Sequence, residues 1–98
     1  MMFSWFSARE AKQFGASLAA FYIGQMPVDL RLSDKKFAAK SESTLRNMAD
    51  KTRTFKAVRP LNGYQKAQLG NTFKWAMRDA GYDAAHVDRM TDWLVTQL

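Results

Sequence analysis

Residues 62–98 read NGYQKAQLGNTFKWAMRDAGYDAAHVDRMTDWLVTQL, and this stretch decides the fold because it divides at Gly81 into two helices. Asn62 is available to cap the first of them, which the spacing places at residues 64–80. Leu69, Phe73, Ala76, Met77 and Ala80 recur on one face of it at steps of three and four. Gly81 ends it where a left-handed residue costs least. Asp83 then caps a helix over 84–97, with Val87, Met90, Leu94 and Leu98 as its apolar line.

Working toward the amino terminus, Pro60 forbids the preceding element from continuing past Arg59, and VRPLNG is a turn by composition. Before it lies a helix over 34–57, capped by Ser33. Phe37, Ser41, Leu45, Met48, Thr52 and Phe55 approach a heptad seam, two of whose six positions are polar, so packing within a bundle is the plainer expectation. Ser41-Glu42-Ser43-Thr44 competes for backbone hydrogen bonds and threatens to split this helix.

The first helix is expected at 7–25, because Ser7 and Glu10 have capping-box spacing and Pro27 stops it. Ala11, Phe14, Leu18, Phe21, Tyr22 and Gln25 would face the core, and Ala16, Ala19, Ala20 and Ile23 would form a second, close-packing side. The expected fold is therefore all-α: a four-helix bundle or compact four-helix array in one domain, with the first helix central and short connections making neighbours of successive helices. The expected core is Phe14, Leu18, Phe21, Tyr22, Phe37, Leu45, Met48, Phe55, Leu69, Phe73, Met77, Val87, Met90 and Leu94.

The 98 residues are 47% hydrophobic and 24% charged, enough apolar material for one core and no more. Cysteine is absent, which excludes a disulfide framework and a thiolate site and fits a cytoplasmic setting. The apolar run from Phe14 to Gly24 lacks a small-x-small cleavage site downstream and falls well short of the roughly 20 residues that span a bilayer. No membrane span is expected, although Met1 to Phe6 is apolar enough for peripheral contact. The same aromatic side chains, Phe3, Trp5 and Phe6, would otherwise fold back as a satellite core.

The formal net charge is +6. All of the surplus lies between Arg31 and Arg59, where nine basic residues face three acids. Lys35, Lys36, Lys40, Arg46, Lys51, Arg53 and Lys56 wrap the solvent side of the second helix, a candidate surface for nucleic acid or another polyanion without sequence reading. No aromatic residue is expected among them, so the stacking platform of single-strand binders is missing at this level. Residues 77–90 partly fit a helix-turn-helix spacing. The small residue that pattern wants is Met77, however, and Asp83, Asp88 and Asp92 against Arg89 would repel phosphates.

A second candidate surface is aromatic. Tyr64, Gln68, Asn71, Trp75 and Tyr82 lie roughly 160° from the Leu69/Phe73 midline, and Trp93 lies off the last helix's apolar line. Exposed Trp and Tyr beside amides have the composition of a protein-binding or self-association patch. His86 is the only histidine. Near Asp79 and Asp83 it makes a poor metal set without a third ligand, and no cofactor or metal is expected. With no phosphate loop, carboxylate pair or triad order, the expectation is a non-enzymatic binding or adaptor module. Protein docking leads, and polyanion binding is the alternative.

Overall fold

The computed structural model describes residues 2–98, with side chains from Ala8 onward. The satellite core and membrane contact expected of Met1 to Phe6 concern side chains that lie outside the described residues. The described residues form an all-α single domain of four helices: α1 (Met2–Gln25), α2 (Asp34–Val58), α3 (Gly63–Asp79) and α4 (Ala84–Gln97). It is elongated, 49 × 25 × 18 Å, as a helix of α2's length requires. None of the described helices is long and apolar enough to cross a membrane.

The caps of the last three helices follow the sequence. Ser33 accepts from the Lys36 amide. Asn62 and Gln65 form a reciprocal capping box, with Asn62 Oδ1 accepting from the Gln65 amide at 2.8 Å and Gln65 Oε1 accepting from the Asn62 amide at 2.9 Å. Gly81 has φ +99°, and it donates to Arg78 O while the Tyr82 amide donates to Met77 O. That pair of bonds is the Schellman closure of α3. Asp83 accepts from the amides of Ala85 and His86 and so starts α4.

The amino-terminal cap is a correction. The helix runs through Ser7, so Ser7 is interior to α1, and Glu10 instead pairs with Arg59 at 2.6 Å. The buried stripe of α1 is also redistributed. It comprises Ala8, Ala11, Gly15, Leu18, Ala19 and Tyr22, continued by Met26 just past the helix end; Phe14, Phe21 and Ile23 are partly buried against the core, whereas Ala16, Ala20 and Gln25 are exposed. Small residues at 8, 11, 15 and 19 let another backbone approach, and the one that does belongs to α3. A Cβ on Gly15 would stand 2.5 Å from Leu69 O.

That approach overturns the expected neighbour order. α1 packs most extensively on α3, α3 on α4, and α2 touches α1 and α4 but not α3. Around the bundle the order is α1–α3–α4–α2, so α2 and α3 occupy opposite corners, and α1 is a corner rather than a centre. A short connection brings α2 and α3 together in sequence. The small-residue surface of α1 around Gly15, where van der Waals contact is closest, decides which helix α3 lies against.

α2 is unbroken. Thr44 Oγ1 donates to Lys40 O at 2.7 Å and Thr52 Oγ1 to Met48 O at 2.8 Å, so hydroxyls that threatened the helix are satisfied by its own carbonyls and can be buried. Its buried residues are Thr44, Met48 and Thr52, and Leu45 and Phe55 are partly covered. Phe37, expected in the core, is 43% exposed, and residues 31–40 are exposed throughout. α2 reaches the bundle only from Ser41 onward.

Candidate functional site

Two separate features of the α1–α2 side bring aromatic rings to the surface near the charges of α2. The first is an open groove of about 540 Å³ where the end of α1, the linker, the start of α2 and the α3–α4 turn converge. Val28, Leu30 and Phe37 line it together with Tyr82, His86 and the buried Tyr22. The Schellman turn at Gly81 delivers Tyr82 to it, and the Asp83 cap sets His86 in the first turn of α4.

The three rings hold one another in place. Tyr22 meets Tyr82 edge-on with centroids 5.5 Å apart, and His86 lies 5.9 Å from each. The Tyr22 hydroxyl pairs with His86 Nε2 at 2.9 Å, and the Tyr82 hydroxyl donates to Met26 O. Both phenols are therefore committed to the protein. Burial raises the pKa of Tyr22, and burial together with nearby Tyr22 raises that of Tyr82 to about 12. Burial, with Arg89 nearby, lowers that of His86. At neutral pH the cluster is uncharged.

The second feature is the seam between α1 and α2. Phe14 and Phe55 stack with centroids 4.1 Å apart and planes 5° from parallel. They open onto a depression of about 520 Å³ that Lys51 also lines. Lys51 Nζ sits 4.9 Å over the Phe21 ring. At 100° per residue, Lys36, Lys40 and Lys51 fall within about 60° of one another, on the flank of α2 that borders Phe37 and Phe55. From Phe37 to Phe55 this flank runs about 27 Å at 1.5 Å per residue.

The seven polyanion candidates separate in this geometry. Arg46 pairs with Glu42 at 2.6 Å and Arg53 with Asp50 at 2.7 Å, both on the solvent side of α2. Lys56 is half-buried. Lys35, Lys36, Lys40 and Lys51 are exposed, and none has a carboxylate within ion-pair distance among the described residues. The expectation that no aromatic accompanies the charges is corrected: Phe37 stands among Lys35, Lys36 and Lys40. Its i+3 and i+4 neighbours are Lys40 and Ser41, too polar to help bury a ring. That was the available signal, and the heptad pattern concealed it. No local pattern signals that Tyr22 and His86 meet, 64 residues apart.

The six aromatic-face candidates also part company. Tyr64 and Trp75 are 55% and 54% exposed, and with Gln68 and Asn71 they run along the outer face of α3. Arg78 lies 5.7 Å and Lys74 5.9 Å from the Trp75 ring. Tyr82 and Trp93 do not belong to that face. Tyr82 is turned into the groove cluster, and Trp93 packs against the core. Each follows the core-facing residues of α4 rather than the solvent face of α3. Among the described residues no three His, Asp or Glu side chains are grouped as metal ligands would be.

Comparisons with protein-family models, curated proteins and solved structures found no match to this chain.

Proposed function

We propose that the chain is a non-enzymatic binding module for nucleic acid, which it engages through phosphates along the α1-facing flank of α2. The observation that carries the reading is the row Lys36, Lys40 and Lys51, exposed, unpaired among the described residues and bordered by Phe37 and Phe55. Ammonium groups on one flank of a continuous helix track a phosphate backbone, displace its counterions and thereby bind without reading sequence. Arg46 and Arg53, already neutralised by carboxylates, contribute little.

Fluorescence anisotropy of labelled oligonucleotides tests this. Replacing Lys36, Lys40 and Lys51 together with Gln abolishes binding on this account, while the circular dichroism spectrum stays helical. Retained binding refutes it.

A second reading rests on a separate observation: Tyr64 and Trp75 remain more than half exposed, three helical turns apart on one face of α3. Trp, Tyr and Arg are the residues that anchor protein interfaces, so this face suits a protein partner or a second copy of the chain. It lies at the corner opposite α2, and both surfaces can act in one molecule. Sedimentation equilibrium distinguishes the second copy: a concentration-dependent dimer that Trp75→Ala dissociates supports it, and a strict monomer rules it out.

A further inference from the structure

We infer that the nucleic acid bound is single-stranded and that one of its bases stacks in the groove between Phe37 and the Tyr22–Tyr82–His86 cluster. This rests on the nucleic-acid reading above and adds the form of the ligand. A duplex offers phosphates to lysines as readily as a single strand does, but it keeps the faces of its bases stacked inside. Only an unstacked base can occupy a groove walled by rings.

Four observations converge on that occupant. The groove's volume of about 540 Å³ falls in the range of small-ligand sites. Phe37, which lines the groove, is 43% exposed overall, a ring left largely uncovered at the start of α2. Lys36 and Lys40 flank Phe37 at i−1 and i+3, so phosphates on either side of a stacked base fall near ammonium groups. Finally, the Tyr82 hydroxyl is spent on Met26 and His86 Nε2 on the buried Tyr22, which leaves the partly exposed rings of Tyr82 and His86, rather than those polar atoms, for the ligand. Recognition of that kind tolerates any base. The carboxylate on the rim, Asp83, is turned to the amides of Ala85 and His86, where the α4 amino terminus offsets its charge.

The test compares oligo-dT of about twenty nucleotides with a duplex of equal length, by anisotropy, for the wild-type chain, Phe37→Ala and Phe37→Tyr. Because Phe37 is exposed, both variants retain the wild-type melting curve. The expected result is tighter binding of the single strand and a loss of about tenfold for it in Phe37→Ala. Phe37→Tyr restores it, and duplex affinity is unchanged throughout. Equal affinity for the two forms, or a single-strand affinity indifferent to Phe37→Ala, overturns the inference while leaving phosphate binding by α2 intact. Binding of neither form at low salt overturns both.

Discussion

Gly15 of α1 lies directly against the backbone of Leu69 on α3, so close that a methyl group on Gly15 would stand 2.5 Å from the Leu69 carbonyl oxygen. The atom it would meet is backbone, which cannot rotate aside, and the two helices that form the most extensive interface must separate to admit it. Gly15→Ala is expected to destabilise the fold by about 1–3 kcal/mol, in the range of overpacking substitutions. Gly24→Ala is its control. Nothing stands within 4 Å of a Cβ there, and removing a helical glycine stabilises by about 0.5–1 kcal/mol. Urea midpoints of the two variants shift in opposite directions.

Phe73 and Trp75 are two residues apart on α3 and face opposite ways. Phe73 is fully buried among α1 and α4 side chains, and Phe73→Ala is expected to cost about 3–5 kcal/mol. Trp75→Ala removes a ring that rests mainly in solvent, and its effect on stability stays within about 0.5 kcal/mol. Thermal denaturation of the two variants checks the orientation of α3.

The ring cluster makes stability depend on pH at both ends. His86 has its pKa lowered below 6.5 by burial, so the unfolded chain takes up the proton more readily than the folded one. The stability it contributes is present above 6.5 and is lost as the pH falls from there through the folded value. Tyr82 behaves in reverse. Its pKa, raised from 10.0 to about 12, gives a contribution that is complete below 10.0 and is lost as the pH climbs through about 12. Urea midpoints measured from about pH 7 to about pH 5 fall, and His86→Gln flattens that slope.

Charge on α2 is read most directly from salt dependence. Each phosphate contact removed lowers the slope of log affinity against log salt by about 0.7 for a single strand. Lys40→Gln is expected to lower the slope by one contact, whereas Arg53→Gln, whose guanidinium pairs with Asp50, leaves it nearly unchanged. Equal changes in the two variants contradict the assignment of the flank.

How far the sequence reached depends on whether the deciding contact is local. Asn62 with Gln65, Gly81 with φ +99°, and Asp83 are signals carried within four residues, and α3 and α4 appear where they place them. The α1–α3 pairing was not legible. It depends on Gly15 meeting a carbonyl 54 positions away, which no periodicity expresses, while the stripe through Ala11, Leu18 and Tyr22 marks a core face without saying which helix covers it. Ser7 misled for the opposite reason: a correct local motif lies inside a longer helix that local rules do not extend. The groove was only half visible. Phe37 fits a core heptad by spacing and Tyr82 a solvent face, and tertiary packing exchanged their roles, leaving the first exposed and taking the second in.

The central claim is that α2 binds nucleic acid through unpaired lysines, and anisotropy of labelled oligo-dT with the wild-type chain, at one low and one moderate salt concentration, tests it most directly. Micromolar binding is expected at low salt, weakening steeply at the higher concentration, with a slope that reports at least three phosphate contacts, those of Lys36, Lys40 and Lys51. An absence of binding at low salt, or an affinity indifferent to salt, would contradict it.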